Sequence, residues 1–112
     1  MRQFLRFSDL SPARQALVRL CREMFFGQVS GLIVRDGEPV LDPPPSVLVE
    51  VKLDSHEESS APGAIEDFKL GKEILRLMAR LDEVQNGLIV RLDVRYGAPA
   101  RMLIPRTSAV RP

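Results

Sequence analysis

Residues 60 apart in this chain match without a gap, and that offset limits the possible folds more than any other feature. Gly27 falls on Gly87, Leu32 on Leu92, Val34 on Val94, Arg35 on Arg95, Gly37 on Gly97 and Pro39 on Pro99, with Val29 against Ile89. Upstream, Leu17 falls on Leu77 and Cys21 on Leu81, so the helical and extended patterns share one phase. A helix–glycine–strand–glycine–strand order imposes some of this likeness by itself, since glycine serves the turns and apolar alternation the strands. The density of matches favours internal duplication over that convergence. The 112 residues then read as one domain, 1–112, with repeat units 11–53 and 65–106 joined by a polar linker, 54–64.

The first unit opens with a helix. Ser11 is a natural N-cap and Pro12 suits the first helical position, where its missing N–H costs nothing. Ala13, Ala16, Leu17, Leu20, Cys21 and Met24 recur at three- and four-residue steps, and Gly27 stands as the C-terminal glycine. A strand from Val29 to Arg35 leads into Asp36-Gly37, a hairpin dipeptide, and a return strand from Val40 meets Pro43-Pro44-Pro45. Alternation at Val47, Val49, Val51 and Leu53 predicts that extended structure resumes. In the second unit, Leu70, Ile74, Leu77, Met78, Leu81 and Val84 form a helical stripe that stops before Asn86-Gly87. Strands are expected from Leu88 to Tyr96 and from Ala100 to about Ile104. The predicted fold class is α+β: two αββ repeats in tandem, an antiparallel sheet of four or more strands with two helices on one face.

Period-two alternation assigns faces. Leu88, Val90, Leu92, Val94 and Tyr96 should point toward the helices, with Ile89, Arg91, Asp93 and Arg95 toward solvent. In the first unit Leu32 and Val34 point inward. Val29 and Ile33 then fall on the outer face, as an apolar pair suited to an oligomer contact or to cover by the Phe4/Leu5/Phe7 segment or the proline loop.

Chemistry is sparse. His56 lies in a DSHEE run beside Asp54, Glu57 and Glu58, but metal sites need fixed ligands with supporting hydrogen bonds, and a solvated linker explains these residues. Cys21, in an apolar helical stripe, reads as an inert small hydrophobe rather than a nucleophile. Glu66-Asp67 suits a helix N-terminus, and Asp82-Glu83 reads as solvated surface. The chain holds no G-x-S-x-G elbow, phosphate-binding glycine loop or H-E-x-x-H helix. One cysteine and one histidine also exclude a disulfide framework and a single-chain Cys/His zinc site. No catalytic, cofactor-binding or metal-binding residue is assigned.

Arg35, Arg91, Arg95 and Arg101 are expected on the open face of the sheet, near Arg106, where a basic surface could follow a phosphate backbone. The formal charge of +1 conceals a split, because residues 61–112 carry nine Lys/Arg against six Asp/Glu. Single-strand binders place aromatics on such a face, and here Tyr96 is predicted inward and the phenylalanines lie off these strands. The opening MRQFLRFSDL lacks the apolar run of a signal peptide, and no stretch reaches the ~20 apolar residues of a membrane span. A cytoplasmic protein without a membrane partner is the expectation.

The pattern of a helix, Phe26-Gly27-Gln28-Val29, a strand and Asp36-Gly37 running to Val40 is similar to short bacterial YezD-like proteins. The resemblance covers about one αββ unit per half, and the second half keeps the glycines with Tyr96-Gly97-Ala98-Pro99 at its turn. It implies an αββ unit that assembles in pairs, and no catalytic residue. The function expected is that of a non-enzymatic interaction module acting through protein–protein contacts or as a homodimer, with Val29, Ile33, Arg35, Arg91, Arg95 and Arg101 as its face. The alternative is a nucleic-acid binder using the arginines.

Overall fold

Ser11 caps the first helix as its type predicts: its hydroxyl accepts from the Arg14 amide at 3.3 Å, and Pro12 occupies the first turn. In the computed structural model, which describes residues 6–54 and 68–105, this helix is α1 (Pro12–Met24), preceded by a short 3-10 turn at Phe7–Asp9. The order continues β1 (Gly27–Arg35), β2 (Glu38–Val40), β3 (Ser46–Val49), α2 (Lys72–Val84), β4 (Gly87–Arg95) and β5 (Ala98–Leu103). The fold is α+β, with two helices and one antiparallel sheet of five strands. Its order is β2-β1-β4-β5, and β3 pairs with β1 alongside β2. The proline run therefore divides one edge into two short strands, since proline has no N–H to give a ladder.

Neither helix ends on a glycine. Phe25 and Gln85 close the last turns with φ of 65° and 58°, each donating its N–H to a carbonyl four residues back. Gly27, expected as the C-terminal glycine, is instead the first residue of β1. It lies where the backbone of β3 passes close enough that a Cβ would overlap the Leu48 carbonyl oxygen.

One core joins the helices to one face of the sheet. It combines Leu17, Val18, Cys21 and Met24 of α1, Ile74, Leu77, Met78 and Leu81 of α2, and Val29, Leu32, Val34, Ile89, Leu92 and Val94 of β1 and β4. The strand residues correct the expected faces. Val29 and Ile89 are 0% exposed rather than outward, while Leu88 and Val90 are 40% and 45% exposed rather than inward. Both strands bury a residue, skip two and bury the next, at Val29/Leu32 and Ile89/Leu92. The register is unbroken across this point, with Ser30 opposite Arg91 and Leu32 opposite Ile89. Gly31, at φ +71°, takes β1 out of the pleat there, so the alternation changes phase in both strands together. Tyr96 is not in a strand at all: it sits in the β4–β5 turn with φ 53° and is 75% exposed. Extended structure after the prolines ends at Val49, and Val51 and Leu53 are exposed. The 54–64 linker beyond Asp54, together with His56, Glu66-Asp67, Phe4, Leu5 and Arg106, lies outside the described residues.

A second correction concerns charge. Asp82, expected as solvated surface, accepts a hydrogen bond at 2.6 Å from Arg14, whose side chain is completely buried. The same guanidinium nitrogen donates to the Gly37 carbonyl at 2.8 Å, and Glu38 lies 3.8 Å from Nε. Ser11 in turn donates to Glu38. One side chain thus ties α1 to α2 and to the β1–β2 hairpin.

Candidate interaction face

Cross-strand partners in an antiparallel sheet point to the same side, so the pairing register reads out the face that the helices leave open. Ile33 pairs with Val40 on one side and Leu88 on the other, giving an apolar row across β2, β1 and β4. Ile33 and Leu88 are each 40% exposed. Toward the middle of the sheet, Ser46, Ser30, Arg91 and Leu103 make a second row, and Leu48, Gln28, Asp93 and Arg101 a third. Of the apolar pair expected here, Ile33 is present and Val29 is in the core.

The arginines are not gathered into a basic stripe. Arg91 and Arg101 share one carboxylate: Asp93 accepts from Arg91 at 2.9 and 3.3 Å and from Arg101 at 3.1 Å. Burial presses the Asp93 carboxyl upward, but the Arg91 hydrogen bonds, with the charges of Arg91 and Arg101, outweigh it and hold the group below its ordinary value of 3.8. Arg35 and Arg95 lie at opposite ends of the β1–β4 pair, because that pair is antiparallel, with Val34 opposite Gly87 and Gly27 opposite Val94. A phosphate backbone would meet two separated cations and, between them, a cluster in which one carboxylate offsets one of two guanidinium charges.

Three residues that the sequence does not assign to this face, Glu50, Phe26 and Lys52, lie at the Arg95 end. Glu50 donates its backbone N–H to the Phe26 carbonyl at 2.8 Å, which continues the β1–β3 register by one step. Phe26 is T-packed against Phe25 at 5.0 Å and lies 4.8 Å from Tyr96. The Lys52 ammonium sits 5.0 Å over the Phe26 ring. An open cleft of about 500 Å³ is formed here by Phe26, Gln28, Leu48, Glu50, Asp93 and Arg95, among others. Counting back in twos from Gln28 would place Phe26 on this face, but Glu50 and Arg95 become its neighbours only once the strand register is known.

Cys21 is away from this face, buried between α1 and the sheet, and desolvation pushes its thiol up to about 12. It is therefore expected not to react with a disulfide reagent at pH 8 in the native protein, and to react fully in denaturant. Rapid native labelling would contradict its burial. Among the described residues no cluster of three His, Cys, Asp or Glu side chains could hold a metal ion, and no helix is long and apolar enough to cross a membrane. No family model, curated protein or solved structure matches the chain.

Proposed function

We propose that this chain is a non-enzymatic interaction module: two αββ units in tandem, working through protein–protein contacts on the open face of their shared sheet. The observation that carries the reading is the Val40–Ile33–Leu88 row, apolar and solvent-facing on the side that neither helix covers. The tandem reading is supported by the 60-residue offset of the elements. Helices Pro12–Met24 and Lys72–Val84 are the same length, as are strands Gly27–Arg35 and Gly87–Arg95. Positive φ recurs at Phe25/Gln85, Asp36/Tyr96 and Gly37/Gly97. Two reciprocal hydrogen bonds cross between the halves, Gly37 N–H to Gln85 O at 2.8 Å and Gly97 N–H to Phe25 O at 2.9 Å. A cytoplasmic setting belongs to the same reading, in keeping with a free, buried cysteine.

The test is the double substitution Ile33→Asp/Leu88→Asp, compared with wild type by sedimentation velocity across a concentration series. Both side chains are already partly in water, so circular dichroism should stay native while concentration-dependent association disappears. Association unchanged by the substitutions would remove the open face from the reading.

A second reading, single-stranded nucleic-acid binding, is favoured by one observation: the exposed Tyr96 ring packs on Phe26 at 4.8 Å, with the Lys52 ammonium over Phe26 and Arg95 lining the same cleft, as a stacking surface would. Titrating the same samples with a labelled oligonucleotide at low salt separates the two, because a strand binder must show salt-sensitive binding there.

A further inference from the structure

The open face carries opposite charges on either side of an aromatic ring, and that arrangement points to its own occupant. Glu50 adjoins Phe26 through the backbone hydrogen bond already described. Continuing the β1–β4 register one step past Gly27–Val94 places Arg95 on the other side of Phe26. With strands ~4.8 Å apart, Glu50 and Arg95 flank the ring in one row about 10 Å wide. Both are exposed, and among the described residues neither has an ion pair or side-chain hydrogen bond.

We propose that a second copy of this chain seats face to face on this surface, about a two-fold axis running along β1. The inference rests on the open face being an interaction surface. An axis along β1 sets that strand against itself and carries the β3 side of one copy over the β4 side of the other. Glu50 then meets Arg95 of the partner subunit, and Arg95 meets Glu50 of the partner subunit, so this acid–base pair satisfies itself twice, with the Lys52 ammonium over the Phe26 ring as a second cation at that end. At the opposite end, Ile33 packs on its own copy across the axis and Val40 lies over Leu88 of the partner subunit. Between these ends, Gln28 and Ser30 face their own copies as hydrogen-bonding side chains. Asp93 arrives with Arg91 and Arg101 already on its carboxylate rather than as a bare charge. Arg35 meets its copy only at the solvated rim, where screening keeps the repulsion small. A rotation about an axis perpendicular to the strands would instead set Asp93 over Leu88 and leave Glu50 without a base. Four strands of this length present roughly 500 Å² per copy, the low end for a specific interface, so the dimer is weak and reversible.

The experiment uses the full chain and three variant samples: Arg95→Glu, Glu50→Arg, and their equimolar mixture. Arg95→Glu leaves one copy with acids at both positions, and Glu50→Arg leaves the other with bases at both, so each should self-associate about tenfold or more weakly than wild type, while the mixture forms a heterodimer. Sedimentation velocity reads the three, and added salt should weaken the mixed dimer. If a charge reversal perturbs the far-UV spectrum, Arg95→Gln and Glu50→Gln supply the same comparison with a smaller loss. Two results overturn the arrangement: variants that associate like wild type, or a mixture no better associated than its components. If Ile33→Asp/Leu88→Asp dissociates the wild-type assembly while the charge variants do nothing, the open face stands and this axis falls. A wild type that stays monomeric at every concentration excludes the second copy as occupant, whatever other protein the face binds.

Discussion

Asp82→Ala is expected to lower the stability of this protein by about 3 kcal/mol, with a fall of roughly 10–20 °C in Tm for a domain this size. The reason is that Asp82 is the nearest counter-charge of Arg14, 2.6 Å away, and Arg14 has no exposed surface. Removing the aspartate takes the closer carboxylate from a fully buried guanidinium and leaves Glu38 at 3.8 Å beside it, and weakening the counter-charge of a buried cation costs more than the pair contributed. Arg14→Met should be milder, about 1–2 kcal/mol, because it removes the charge and keeps most of the volume. The carboxylates left behind, Asp82 and Glu38, both retain access to water. Urea titrations of the two variants at pH 7 supply the comparison. An Asp82→Ala protein as stable as wild type, or an Arg14→Met protein less stable than Asp82→Ala, would show that Arg14 is not held as described.

The second large effect separates two glycines that look alike in the sequence. Gly27→Ala is expected to cost about 2–3 kcal/mol, because the added Cβ overlaps the Leu48 carbonyl oxygen and comes within 2.7 Å of the Met24 sulfur. The methionine can move, but the β3 backbone is held by its pairing with β1 and cannot yield without loosening that edge. Gly87→Ala, 60 residues on, meets only a Val84 methyl at 3.2 Å and should stay within about 1 kcal/mol of wild type. Neither position has positive φ, so the contrast is one of space rather than backbone freedom. Amide exchange locates the damage: in Gly27→Ala the Ser46–Val49 amides should lose protection before those of β4. Equal costs at the two glycines would mean that β3 is not seated against Gly27.

Much of the architecture was legible because it depends on local chemistry. Ser11-Pro12, the α2 stripe from Ile74 to Leu81 and the Asp36-Gly37 turn each express a preference that neighbouring residues satisfy by themselves, whereas Leu70, expected in that stripe, is buried just ahead of the helix. The α1 stripe was read less well. Val18 and Arg14 belong to its buried face, while Ala13 and Ala16 lie only at its margin. Arg14 occupies the place that Ile74 holds 60 residues later, and no periodicity rule puts an arginine in a core. Its burial follows from Asp82 and Glu38, which come to it from other elements.

The open face marks the same division. Alternation correctly put Leu32, Val34, Leu92 and Val94 inward and Arg91, Asp93 and Arg95 outward. It failed before Gly31 in β1 and opposite Leu32–Val34 in β4, because the phase reverses at the level of that positive-φ residue, exposing Leu88 and Val90 and burying Val29 and Ile89. Helices, turns and the 60-residue offset were determined by the sequence alone, since capping, periodicity and turn chemistry act within a few residues. Which side chains share a row was decided only by the tertiary structure. Glu50, Phe26 and Arg95 are neighbours because three strands are paired in one register, and register is a property of the assembled sheet.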